Sequence, residues 1–220
     1  ASNKFPNIKN LIPNFAIFEG SPGTGKTTEA KIIGKYLGYP FIYIPINAIT
    51  TKWYGESEAK LNNIFEITGE IAKEHGGAVL MIDEIDEIGA NRDNSHEATG
   101  RVTGVLLKKL DGFEKVDNIL LLASTNRMDK LDSALVSRSS LNINFRNPNT
   151  NEIESILNHY IPNLGQLSED GIKVLNGKSG RDLSNLAKDF VSKLLKQNLA
   201  GDFDNTDFIN TEFKNFIKNN

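Results

Sequence analysis

Cysteine is absent from the 220 residues, which removes both a disulfide framework and a thiolate metal site. Histidine is nearly as scarce, and His75, His96 and His159 lie too far apart to suggest ligand spacing. No apolar run approaches the roughly 18 residues that a membrane-spanning helix needs. No charged, apolar and small-residue succession marks a secretory signal. Positive charge is not in excess either: 25 Lys and Arg stand against 28 Asp and Glu, a net charge of -3. That balance supplies no overall basic field for holding nucleic acid, so no nucleic-acid partner is expected. Together these absences point to an intracellular setting on the cytoplasmic side. The chain opens on Ala1 rather than Met, as a fragment would, and a segment outside it could still bring it to a membrane.

What is present is an ordinary globular balance, 39% hydrophobic and 24% charged residues, in a chain long enough for one substantial core and a smaller satellite. Short apolar runs at Phe15–Phe18, Phe41–Ile46, Ala78–Ile82, Ile119–Ala123 and Leu141–Phe145 read as strands. Several are almost continuously apolar, as in a parallel sheet covered on both faces. Between them, Leu61, Ile64, Phe65, Thr68, Ile71 and Ala72 recur at helical spacing, and Val102, Leu106 and Leu110 do so less fully. Alternating strands and helices predict a doubly wound α/β domain, with ligands at the carboxyl ends of the strands.

The pattern changes at Asn147-Pro148-Asn149-Thr150-Asn151, a run of turn and cap formers. We therefore expect an α/β nucleotide-binding domain over residues 1–147 and a small helical lid over 148–220. Stripes at Ile153, Ile156, Leu157, Tyr160 and Ile161, and from Leu183 to Leu195, predict a helical bundle, completed by a helix near Asp207–Ile217.

The chemistry starts at Gly20-Ser21-Pro22-Gly23-Thr24-Gly25-Lys26-Thr27, which satisfies GxxxxGK(S/T) between a strand and a helix pattern running on through Thr28. The glycines let backbone N–H groups turn toward phosphate oxygens, and the helix N-terminus adds positive partial charge. Lys26 is positioned to reach the outer phosphates and Thr27 to ligate Mg2+. A second strand ends in Val79-Leu80-Met81-Ile82-Asp83-Glu84. Asp83 there would hold Mg2+ through water, while Glu84 would polarise the attacking water as a general base. A solvated acidic loop is the plain alternative. A third strand ends in Ala123-Ser124-Thr125-Asn126-Arg127, and Asn126 would orient the lytic water if that strand lies between the other two.

These segments resemble the Walker A, Walker B and sensor 1 motifs of the AAA ATPases, a family of P-loop NTPases. The resemblance continues through Leu110-Asp111-Gly112-Phe113, Leu131-Asp132-Ser133-Ala134-Leu135 and Ser179-Gly180-Arg181-Asp182-Leu183. It implies a mostly parallel five-stranded sheet with a helical lid. It also implies Mg2+-dependent hydrolysis of ATP, and a ring, typically hexameric, that remodels, unfolds or threads a protein substrate.

Three further features are read through that resemblance. Lys52-Trp53-Tyr54-Gly55-Glu56-Ser57 is similar to the family's aromatic-hydrophobic-glycine pore loop, with Trp53, Tyr54 and Gly55 as substrate contacts. Without the resemblance the same aromatics read as a hydrophobic staple for the following helix. Val136-Ser137-Arg138-Ser139-Ser140 carries one arginine where related sequences usually carry two, which makes Arg138 the candidate for activating a neighbour's nucleotide. Arg181 stands where the AAA clade usually has alanine, and either a γ-phosphate contact from the lid or an exposed residue beside Asp182 fits. About 14 residues precede the first strand, whereas family members have a longer stretch that helps enclose the base. An ATP-operated assembly switch with slow hydrolysis, or a nucleic-acid-directed motor, are the alternatives.

Overall fold

The computed structural model describes residues 14–49, 55–88, 95–111, 118–197 and 205–218. The chain divides into two units, one made of the residues up to Gly20 with Lys26–Phe145, the other of Ser21–Gly25 with the residues from Arg146 on.

The first unit is built on five parallel strands, β1 (Phe15–Gly20), β2 (Phe41–Pro45), β3 (Ala78–Asp83), β4 (Ile119–Thr125) and β5 (Leu141–Phe145), in the order β2-β3-β4-β1-β5. Helices α1 (Lys26–Leu37), α2 (Glu56–His75), α3 (Ser95–Leu110) and the short α4 (Ser133–Arg138) connect them. Side chains alternate along each strand, so a strand apolar on both faces needs cover on both. Ala78, Leu80 and Ile82 of β3 join Phe15, Ile17, Leu121 and Ala123 in a core that α2 and α3 close with Leu61, Phe65, Val102 and Leu106. On the opposite face Val79 and Met81 meet Ala16, Phe18, Leu122 and Ala30 of α1. Leu80, Met81 and Ile82 are fully buried, and burying a side chain of that size contributes roughly 1.5–3 kcal/mol. The doubly wound sheet thus follows from the near-continuous apolar runs.

The strands extend past their apolar runs. β1 continues through Glu19 and Gly20, and β4 through Ser124 and Thr125. Ile46, expected in β2, instead opens a short 3-10 turn at Ile46–Ala48. Helix α2 starts after Gly55, which sits in the left-handed region at φ 74° and supplies no side-chain cap.

In the second unit, α5 (Thr150–Tyr160), α6 (Glu169–Leu175), α7 (Gly180–Lys196) and α8 (Thr206–Lys218) enclose their own core. Two reciprocal capping boxes fix helix starts: Asn149 with Glu152 for α5, and Ser179 with Asp182 for α7. The Phe190 ring meets Phe213 edge-on at 5.1 Å and tilts against Phe216 at 5.5 Å. Two residues of the expected stripes turn outward, Tyr160 at 38% and Leu195 at 52% exposure. Among the described residues no helix is long and apolar enough to cross a membrane.

Candidate active site

Strand register brings the motif residues to one edge of the sheet. β4 lies between β3 and β1, the arrangement that the reading of Asn126 requires. Ile82 pairs with Ala123 and Glu19 with Thr125, so Asp83, Gly20 and Asn126 all fall at the carboxyl ends of adjacent strands. Ligands of open α/β sheets bind at this edge. Asp83 follows Met81 on the strand face that α1 covers, the face shared by Ser124 of β4 and Tyr43 of β2.

Gly20 leaves β1 at φ +148°, and a Cβ there would fall on the Phe145 carbonyl oxygen of β5. Glycine is required by the packing of two strands. Gly25 adopts φ +104°, and a Cβ would meet nothing within 4 Å, so its constraint is the backbone turn alone. Ser21 and Pro22 are exposed, whereas Gly23, Thr24, Gly25, Lys26 and Thr27 are half-buried. The Thr24 hydroxyl donates to the Ser21 carbonyl at 2.8 Å, which tightens the loop internally. Lys26 folds its Nζ back to donate to the Gly20 carbonyl at 2.6 Å. Thr27 and the exposed Thr28 lie in the first turn of α1.

Asp83 is engaged on both carboxylate oxygens. Tyr43 Oη donates to Oδ2 at 2.8 Å, and Ser124 Oγ donates to Oδ1. Glu84 takes the left-handed conformation, φ 59° and ψ 42°, and its amide donates to Ser124 Oγ at 3.2 Å. For a residue other than glycine this backbone is strained, and it breaks strand alternation so that Glu84 departs from Asp83's course. Glu84 is exposed. The next acidic side chain, Asp86, has one buried oxygen, Oδ1, without a hydrogen-bond partner.

Asn126 is exposed just beyond β4. Arg127 beside it forks onto Asp129 at 3.1 and 3.0 Å, which raises the guanidinium pKa and holds the Asp129 carboxyl below its ordinary value. Arg138, at the end of α4, makes a two-pronged contact with Asp111 at 2.5 and 2.8 Å and donates to the Ala134 carbonyl at 3.1 Å. The side-chain hydrogen bond from Arg138 holds the Asp111 carboxyl below its usual range. Within the second unit the Arg181 amide donates to the Gly23 carbonyl at 3.0 Å, while the Arg181 side chain is exposed. Trp53 and Tyr54 lie outside the described residues, and Gly55 caps α2 at their edge.

The donor set suits Mg2+. Asp83 and the Thr27 hydroxyl are hard oxygens, and Mg2+ is usually held by one or two carboxylates together with phosphate oxygens. No group of three or more His, Cys, Asp or Glu that could hold a metal ion occurs among the described residues. Sequence reading missed Tyr43 and Ser124 as partners of Asp83, and Asp111 as the partner of Arg138. A tyrosine in a strand reads as packing, and only the β2-β3-β4 register exposes its contact.

A sequence profile described as "ATPase family associated with various cellular activities (AAA)" matches residues 16–147. The chain is 30% identical over 205 residues to an ATP-dependent zinc metalloprotease FtsH of Caulobacter vibrioides, covering 89% of this chain and 32% of that protein. It is 32% identical over 185 residues to an outer mitochondrial transmembrane helix translocase of Danio rerio, covering 80% and 50%. It is 34% identical over 154 residues to a 26S proteasome regulatory subunit 8 homolog of Naegleria fowleri, covering 68% and 36%. The chain therefore spans about a third to a half of the length of these relatives.

Proposed function

The chain belongs to the AAA family of ATPases, and from that premise we propose that it couples Mg2+-dependent ATP hydrolysis to remodelling or threading of a protein substrate through a self-assembled ring, hexameric by analogy with the family. The observation that carries this reading is the shared sheet edge, where register gathers Gly20, Asp83 and Asn126 at the ends of three adjacent strands. The relatives' names, a metalloprotease, a transmembrane helix translocase and a proteasome subunit, each point to work on polypeptides.

In this reading Gly20, Ser21, Pro22, Gly23, Thr24 and Gly25 wrap the phosphates with backbone N–H groups, and Thr28 extends the helix N-terminus beneath them. Lys26 exchanges its bond to Gly20 for the outer phosphate oxygens. Thr27 and Asp83 would hold Mg2+, which when bound neutralises charge on the phosphates. Glu84 accepts a proton from water as that water attacks the γ-phosphorus and the bond to the ADP oxygen breaks. Asn126 orients the same water. Arg138 acts on a neighbour's nucleotide, and Arg181 answers to the γ-phosphate from the lid. Trp53, Tyr54 and Gly55 contact the substrate, a flat ring gaining area at low entropic cost.

The test pairs two substitutions. Glu84→Gln should bind ATP with near-native affinity while hydrolysis falls by about 10²- to 10⁴-fold, the range of a general base. Trp53→Ala should keep basal ATPase and lose processing of a model unfolded protein. Near-native turnover in the first refutes Glu84 as base, and retained processing in the second refutes the substrate loop. One observation favours a second reading, an ATP-operated assembly switch: both Asp111 oxygens hold Arg138 within its own chain. A specific ATPase activity that does not rise with protein concentration would select the switch.

A further inference from the structure

Asp83 does not stand alone at the end of β3, and what surrounds it assigns work to Tyr43, outside the nucleotide motifs, and to Ser124, two residues before Asn126 in the third of them. Rotation about the last bond of an aspartate side chain is soft, with broad twofold minima. A carboxylate meant to catch metal-bound water therefore needs its plane fixed from outside. Here one strand on either side supplies a hydroxyl: Tyr43 from β2 donates to Oδ2, and Ser124 from β4 donates to Oδ1. With one donor on each oxygen the plane is pinned, and each oxygen keeps a lone pair for a further donor.

Ser124 has a second task. Its hydroxyl hydrogen goes to Asp83 while its oxygen accepts the Glu84 amide at 3.2 Å. One side chain, 1% exposed, thus fixes the carboxylate and also supports the left-handed turn that sets the course of the next acidic residue. Tyr43 is the opposite kind of partner: at 42% exposure its ring stays largely outside the core. Tyr43 pairs with Met81, two residues before Asp83 on the same face, which is the diagonal position that a long aromatic side chain can reach.

We propose that Tyr43 and Ser124 form a two-hydroxyl clamp that positions Asp83 for Mg2+, so that metal affinity at this site is set by β2 and β4 as well as by the motif residues. The clamp rests on the reading of Asp83 as the residue that carries Mg2+. Outer partners of metal-binding groups commonly change affinity by about 10- to 100-fold. The exposed phenol should sit below that range and the buried serine within it.

The experiment titrates Mg2+ against binding of a fluorescent, non-hydrolysable ATP analogue to the 220-residue chain. It compares wild type with Asp83→Asn, Tyr43→Phe, Ser124→Ala and Ser124→Thr, and measures thermal unfolding of each. Expected is a rise in half-saturating Mg2+ of about threefold for Tyr43→Phe and about tenfold for Ser124→Ala. Ser124→Thr, which keeps the hydroxyl, should return it to within about twofold. Affinity for the analogue in excess chelator, and the unfolding midpoint, should not change in Tyr43→Phe. If Asp83→Asn raises half-saturating Mg2+ but either Tyr43→Phe or Ser124→Ala leaves it unchanged, the clamp is refuted and the role of Asp83 stands. If Asp83→Asn also leaves it unchanged, the reading of Asp83 fails and the clamp with it. Equal weakening with and without Mg2+ would refute the clamp as well, since a merely structural role predicts that result.

Discussion

Replacing Glu84 with glycine separates backbone strain from chemistry in one substitution. Glu84 is held at φ 59° and ψ 42°, a conformation that costs an L-residue roughly 1–2 kcal/mol and glycine almost nothing. Against that relief, glycine loses more chain freedom on folding, a cost of about 0.5–1 kcal/mol. The amide that bonds Ser124 Oγ is retained, and the side chain lost is an exposed one. The net expectation is a gain of about 0.5–1 kcal/mol, which for a unit of this size raises the unfolding midpoint by about 1–4 °C. Meanwhile removal of the carboxylate lowers ATP turnover by about 10²- to 10⁴-fold. Glu84→Gln is the control, because it keeps the strained backbone: turnover falls alike and the midpoint stays put. Circular dichroism melts and a coupled phosphate-release assay on the same preparations read both quantities. Two outcomes refute the reasoning: a Glu84→Gly protein that melts below Glu84→Gln, or one that still turns over ATP.

Arg138→Ala should leave ATPase unchanged at low protein concentration and remove most of its rise on assembly, by up to about 10³-fold if Arg138 serves a neighbour; concentration-dependent turnover measures it, and an unaltered profile excludes the role. Ser179→Ala should cost the helical unit about 1 kcal/mol, seen in urea unfolding, since it removes the α7 cap. The Asp182 carboxyl is held below its ordinary value first by the Ser179 hydroxyl and then by the Ser179 amide. Its contribution is therefore present above the unfolded value of about 3.9 and lost as pH falls through the lower folded value. Stability of the wild type should accordingly fall more steeply than that of Ser179→Ala on acidification below about pH 4, and parallel curves would remove Asp182 from the account.

The inner strands were legible because a strand covered on both faces must be apolar at every position, and Ala78–Ile82 has no other reading that fits its length. Edge strand β5 instead alternates Leu141, Ile143 and Phe145 with Asn142 and Asn144. The functional ends of the inner strands were not legible. Glu19-Gly20 and Ser124-Thr125 are polar or glycine, so hydrophobic patterning stops short of them, although the ladder of β1 and β4 runs on. The carboxyl edge of a binding sheet is where polarity and strand structure coincide. Helices α4 and α6, of 6 and 7 residues, are too short to build a periodic stripe. Their caps, Asp132 and Ser168, accept hydrogen bonds from the amides of Ala134 and Gly171, but neither stood out as a helix start in the sequence alone. Motif spacing marked Asp83, Glu84 and Lys26 as candidates, because the proposed chemistry constrains those residue types along the chain. Nothing along the chain links Tyr43 to Asp83 or Arg138 to Asp111, separated by 40 and 27 positions. Those contacts come from register and from where α4 ends, which tertiary packing decides.

The two glycines that bound the turn of the phosphate loop answer to different masters, and that governs which of them can serve as a reporter. A side chain at Gly20 would strike the carbonyl of β5 whether or not nucleotide is present, so loss of binding after Gly20→Ala would record a displaced edge strand. At Gly25 the added methyl group meets open space and only the φ of +104° resists it. D-alanine, whose mirror-image chirality favours positive φ, could be installed at Gly25 by chemical ligation with the turn preserved. A fall in nucleotide affinity there would then measure room for phosphate, free of any disturbance to the sheet.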